Sequence, residues 1–289
     1  MPRVFANGGM IGKTLNFTST TSYTSYGYSS YPDPITYVGG ATATAVTTAG
    51  TTATVTFTSL AGGVGSVQTG DLVIATVAVA TNNTDLVMSM TTAGYTTLYD
   101  LYQSETQASN LGVFYKVMGA TPDTSAQTGT MMPASVSMVL AVQVWRGVST
   151  TTPFGAAATA TNANGTNVDP SLITTTVNGS KVIVAGMGSS TRGIVLYTTQ
   201  ASLENVLNAA AESTRDAALM VGSVIVSGGG QRRSGTVVNP VVFSASSNGT
   251  TNDSSIAVTL ELMPSVVIID TLTNAGVWDT GWRYVANTP

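Results

Sequence analysis

The sequence contains no cysteine and no histidine, and only 8% of its 289 residues are charged, against roughly 25% in an average soluble domain. Each absence removes a class of function. Without cysteine there is no disulfide framework, no thiolate nucleophile and no thiolate metal ligand. Without histidine the commonest general base is gone. Any metal site is left with oxygen ligands, which suit Ca²⁺-like ions and not zinc. The 14 acidic and 10 basic residues leave a net charge of −4. Clustered Lys and Arg, which nucleic-acid binding needs to displace counterions, are missing, and the one basic pair, Arg232–Arg233 beside Gly228-Gly229-Gly230, reads as a solvated loop. No apolar run is long enough to span a bilayer as a helix. The opening MPRVFANGGMIGKTLNF lacks the compact apolar core of a secretory signal. Neither nucleic acid nor membrane is expected as a partner, and no cofactor is expected.

Apolar content is ordinary at 43%, and Thr, Ser, Asn, Gly and Ala take the place of charge. Low charge does not imply disorder, because disordered chains combine low hydrophobicity with high net charge. Uncharged, β-branched sequences suit extracellular or virion β-proteins, where Thr and Ser cover the solvent face of sheets. The clearest strand is Gly70–Val79, GDLVIATVAV, whose nearly unbroken apolar run is that of a strand covered on both faces. Leu111–Met118 and Val136–Trp145 are two more. In the last of these, Met138, Leu140, Val142 and Val144 share a face, while Gln143 and Arg146 depart from it.

The second half repeats the pattern. Asn178–Ala185 echoes Thr69–Ala75, Ala217–Val226 echoes the Leu111 strand, and Ser254–Leu262 echoes the Val136 strand. The expectation is an all-β protein, an antiparallel β-sandwich of jelly-roll or immunoglobulin-like type, with two similar halves from a pseudo-duplication. Its divisions are an N-terminal arm over 1–34, a first unit over 35–150, a second unit or second half of the same sandwich over 151–265, and a C-terminal hairpin over 266–289. Between Ile35 and Leu60 apolar and Thr residues alternate around Ala49-Gly50, which predicts a hairpin. The stretch after Pro153 reads as a loop ending at Asp169-Pro170, and 202–212 as a short helix or a loop with one helical turn, because Ser202 precedes good helix formers.

Chemistry is sparse. Asn162, Asn164, Asn167 and Asp169 share the expected loop, but one carboxylate makes a weak cation site, so no metal is expected. Paired carboxylates are the remaining catalytic possibility, as in glycoside hydrolysis; Asp100 and Glu105 flank a polar stretch and Glu212 and Asp216 lie close in sequence, yet both pairs read as solvated acids. Tyr95, Tyr99 and Tyr102 read as core and cross-strand residues before they read as a sugar-stacking platform. No enzyme is expected. The ends are the candidates for contact. Tyr23, Tyr26, Tyr28 and Tyr31 lie in a Ser/Thr/Gly-rich arm, and Trp278, Trp282 and Tyr284 flank the turn Asp279-Thr280-Gly281. Aromatics of this kind give contact area at low entropic cost, so these seven are the assembly-contact residues.

GDLVIATVAV, the run from Gly94 to Thr124 (GYTTLYDLYQSETQASNLGVFYKVMGATPDT), VLAVQVWRGV followed by TPFG, and the opening GGMIGKTLNF together resemble virion-associated structural proteins of tailed bacteriophages. The likeness covers roughly 5–150 well and the second half more loosely. It implies a fibre, spike, head-decoration or tail component, located in the virion after assembly in the host cytoplasm. Its implied partners are other virion proteins and copies of itself. No functional residue carries over from the family. The alternative is a receptor- or glycan-binding module, at a fibre tip or as a bacterial adhesin.

Overall fold

The computed structural model describes residues 34–47, 52–63, 65–123, 126–130, 136–165, 167–190, 194–197, 202–211, 215–226, 231–247 and 252–265, with 5–6 and 9–10. The described residues are almost entirely β. After the two-residue strands β1 (Phe5–Ala6) and β2 (Gly9–Met10), the first half comprises β3 (Thr36–Thr47), β4 (Thr52–Thr56), β5 (Leu72–Thr81), β6 (Ser89–Met90), β7 (Thr96–Gln103), β8 (Ala108–Val117), β9 (Ala126–Thr130) and β10 (Val136–Arg146). The second comprises β11 (Phe154–Gly165), β12 (Asn167–Val168), β13 (Ile173–Thr174), β14 (Lys181–Ser190), β15 (Ile194–Tyr197), β16 (Leu203–Ala211), β17 (Asp216–Val224), β18 (Val237–Val238), β19 (Phe243–Ser247) and β20 (Asn252–Leu262).

The halves have one topology. The first builds a large sheet, β3-β10-β5-β8-β7, and a small one, β4-β9-β6; the second builds β11-β20-β14-β17-β16 and β12-β19-β15. Strand for strand the orders coincide, and among the described residues the second half adds the pair β13-β18. All pairs are antiparallel, and the wrapping is that of a jelly roll whose fifth strand stays in the large sheet. Irregularities repeat too. The first strand of each half shifts register near its start, opposite Val144/Trp145 in one and at Phe154/Ala157 in the other. The edge strands β7 and β16 each carry a bulge. Gly70 and Gly179, at the turns before β5 and β14, both have positive φ, 83° and 77°. A duplication thus reaches down to bulges and turns, features that re-aim strands in a fixed way.

The two large sheets stack face to face. One core joins Ile74, Leu111, Val139 and Trp145 of the first half to Ile183, Leu219, Val258 and Leu262 of the second. On its outer face each large sheet meets its own small sheet. Val73, Val77, Leu140 and Phe114 pack on Val55 and Phe57 in the first half; Val184, Met220 and Ala257 pack on Ile194 and Phe243 in the second. Four layers result, which explains why every residue of β5 and of β14 is buried. Contacts between the halves are reciprocal: β3 lies against β16 and β7 against β11, β10 against β17 and β8 against β20, with β5 on β14. That is the signature of an isologous interface, here inside one chain, with a pseudo-twofold axis parallel to the strands. Both halves therefore point the same way.

Three sequence expectations are corrected. The Ala49-Gly50 region is not a two-strand hairpin, because β3 pairs with β10 in the large sheet and β4 with β9 in the small one. The expected loop after Pro153 is β11, an edge strand whose Ala and Thr residues half-cover the sheet and supply none of the large apolars that mark a buried strand. Residues 203–211 form β16, paired to the fully buried β17. A helix this short has little intrinsic stability, and the open edge of β17 outbids it.

Candidate functional site

The proximal ends of both large sheets meet at one pole. Thr36 pairs with Arg146 and Leu72 with Val117 in the first half; Phe154 and Lys181 both pair with Leu262 in the second. At this pole the segment joining the halves is stitched to the chain that follows β20. Ser149 N–H donates to Met263 O at 2.8 Å, Met263 N–H to Pro153 O at 2.9 Å and Ser265 N–H to Gly147 O at 2.7 Å. Gly147 has φ +80°, and a Cβ there would overlap the Pro34 carbonyl, so only glycine lets these strands of backbone touch. Pro34, where the described body begins, and Ser265, where it ends, are thus both neighbours of Gly147.

Polar chemistry at the pole is structural. Asp71, 1% exposed, takes two charge-assisted bonds from Arg146, Nε–Oδ1 and Nη2–Oδ2, both 2.9 Å, and a third from Gln68 N–H at 2.7 Å. The bond to Asp71 pushes the already high pKa of Arg146 higher still. Lys181 pairs with Glu204 at 2.5 Å. Glu261 is fully buried, and its carboxylate accepts from Ala156 and Thr176 N–H, both at 2.8 Å, and from the Thr176 hydroxyl at 2.9 Å. Tyr37 and Trp145 pack with ring centroids 4.9 Å apart. Neither the Tyr37 hydroxyl nor the Trp145 indole N–H has a hydrogen-bond partner among the described residues. Burial pushes the Tyr37 phenol up to about 12. Its unfolded-state value near 10 is lower, so the stability linked to it is intact below pH 10 and is lost as the pH rises through 12. An orphaned hydroxyl is a burden, so Tyr37→Phe should leave stability unchanged or raise it by about 1 kcal/mol; urea denaturation at pH 7 checks this, and a loss above 1 kcal/mol would reveal a partner for the hydroxyl.

The distal ends also coincide. There Ser109 of β8 meets Ser189 of β14 and Ser254 of β20, all fully buried, with hydroxyl separations of 3.2, 3.0 and 2.8 Å; the hydroxyls of Ser189 and Ser254 also donate to Gln107 O at 2.7 Å. This buried knot places hydrogen bonds between the halves where the rest of their interface is apolar.

The residues singled out in the sequence do not converge. Tyr23, Tyr26, Tyr28, Tyr31, Trp278, Trp282 and Tyr284 lie outside the described residues, as does Glu212. Tyr95 precedes β7 and packs on the outer core, Tyr102 stands near the far end of β7, and Tyr99 packs against the central core, so the three form no platform. Burial, then the charge of Asp123, raises the Tyr95 phenol. Asp100 lies within β7 and Glu105 in the turn beyond it, while Asp216 is 2% exposed. Asn162 and Asn164 fall in β11 and Asn167 in β12, not in one loop. Among the described residues no three His, Cys, Asp or Glu side chains cluster as metal ligands would, and no helix is long and apolar enough to cross a membrane. Of the basic pair, Arg233 is exposed but Arg232 is 5% exposed and donates to Val224 O at 2.9 Å, a structural bond and not a solvated loop. The meeting of Pro34, Gly147 and Ser265 was missed because nothing local marks it; Gly147 after Arg146 was its only trace. No family model, no curated protein and no solved structure matches this chain.

Proposed function

We propose that this chain is a non-enzymatic structural subunit of a tailed-bacteriophage particle, held there through its terminal segments and resident in the virion. The observation that carries the reading is the meeting of Pro34 and Ser265 at Gly147. Residues 1–33 and 266–289, which hold the seven aromatic candidates, join the body side by side at one pole, so one attachment can engage both. The rest of the body, four closed β-layers with little charge, serves as a scaffold that projects from that attachment. The sequence resemblance to virion proteins points the same way. Its partners in this reading are other virion proteins and further copies of the chain; which part of the particle it occupies is open to fibre, spike, decoration or tail.

The test is made in the full-length chain. Tyr23, Tyr26, Tyr28 and Tyr31 are changed together to Ser, and separately Trp278, Trp282 and Tyr284. Each set should reduce recovery of the chain in purified particles by about tenfold or more, as the loss of several aromatic anchors predicts, with the unfolding midpoint of the purified protein unchanged. Normal recovery of both variants would defeat the reading.

A further inference from the structure

The duplicated halves serve as controls for one another, and one position separates them sharply. Asn110 of β8 pairs with Val79, and the equivalent of that pair in the second half is Ala218 with Gly188. Ala218 is ordinary core. Asn110 is fully buried and spends its amide on the crossing from β5 to β6: Leu86 N–H donates to its Oδ1 at 2.9 Å, and its Nδ2 donates to Thr81 Oγ1 at 3.2 Å and to Thr84 O at 3.1 Å. Two further clamps act on the same crossing. The Thr81 hydroxyl donates to Thr84 O at 2.7 Å, and Tyr102 and Ser104 donate to Asn83 Oδ1 at 2.8 and 2.7 Å, holding Asn83 at φ 47°. Leu86 and Met88 are buried on either side, at 4% and 3%, yet Val87 between them is 86% exposed. The fold does not need an amide at position 110, as Ala218 shows; the amide fixes a loop that presents a bare aliphatic side chain.

We propose that Asn82–Met88 is a preformed protein-contact loop whose Val87 enters an apolar socket rimmed by Lys or Arg on a partner protein. The rim follows from charge. Asp85 and Asp100 are both exposed, and the Tyr102–Asn83 bond holds the end of β7 beside the loop; the charge of Asp85, after burial, raises the Asp100 carboxyl, and a cationic partner relieves that repulsion. A neutral sugar gains nothing from an exposed valine, which offers no hydrogen bond and no ring face. Pre-ordering of the loop lowers the entropic cost of docking. The loop leaves β5 at the distal end of the sheet, away from Gly147, so this contact is separate from the proposed attachment and does not depend on it.

The experiment pans a displayed library of random 12-residue peptides on the immobilised full-length protein, then measures the best peptides in solution by fluorescence anisotropy. Enriched peptides should combine Leu, Ile, Phe or Met with Lys or Arg. Val87→Asp should weaken them about tenfold or more, and Asp85→Asn with Asp100→Asn should weaken them and flatten the salt dependence. Asn110→Ala, patterned on Ala218, should weaken them with Val87 in place. The proposal is overturned by a library that yields no binder, by enriched peptides that are acidic or neutral, or by binders that hold Val87→Asp as tightly as the parent.

Discussion

Replacing Glu261 with alanine is expected to cost about 3–5 kcal/mol of stability, the range for stripping a buried ionic hydrogen-bonded site of one partner. The carboxylate is fully buried and ties β20 to the start of β11 and to the Thr176–Val177 segment through backbone N–H groups. The bulge at Phe154/Ala157 leaves Ala156 N–H turned to the carboxylate, so the truncation strips the Ala156 and Thr176 N–H donors of the acceptor they share. Pairing register makes Val144 the equivalent position in the first half, opposite Val73 as Glu261 is opposite Val182. An acid is therefore not required by the fold; it became required once the second half's backbone was built around it. For a body of this size the loss lowers the melting temperature by about 10 °C, at roughly 2–4 °C per kcal/mol. Glu261→Gln keeps one acceptor oxygen and should cost less. Urea denaturation of the three proteins checks the order, and an alanine variant within 1 kcal/mol of the parent would show that the carboxylate is not the anchor.

Leu219→Asp is the second large effect. Leu219 is 1% exposed on the face of β17 that meets the first half. A carboxylate there enters the apolar core shared by the two halves and should cost about 5 kcal/mol or prevent folding. Val87→Asp, at a fully exposed position, should leave the melting curve unchanged. If the halves were independent sandwiches with solvated outer faces, both substitutions would be mild. Thermal melts of the two variants side by side separate the arrangements.

Much of the scaffold was legible in the sequence, because buried strands announce themselves. Gly70–Val79 reads as covered on both faces, and β5 is covered by Val55 and Phe57 on one side and by the second half on the other. Met138, Leu140, Val142 and Val144 share one core and Val139, Ala141 and Trp145 the other, as alternation requires. The echo of Thr69–Ala75 in Asn178–Ala185 is the duplicated turn and strand. What failed lay at edges. The strand β11 is Ala, Thr and Asn, a composition shared with loops, and β16 has helix formers; only pairing with β20 and β17 decides their state. The expected hairpin at Ala49-Gly50 failed because alternation gives a strand's faces but not its partner. The candidate site was less legible still. Asn110 lies just before the strand expected over Leu111–Met118, and its hold on Leu86 and Thr84 depends on neighbours 24 and 26 residues away.

The stacking of the two halves in the same direction underlies both the common pole at Gly147 and the serine knot at the other end. A cysteine-free chain allows this to be read with one bond. Ser109→Cys with Ser254→Cys places thiols where hydroxyl oxygens are now 2.8 Å apart, on strands from different halves. Mass spectrometry of the oxidised double variant should show a single intramolecular disulfide joining peptides around 109 and 254. If instead the halves stacked in opposite directions, these positions would lie about 30 Å apart, a strand length at ~3.3 Å per residue, and both thiols would stay free.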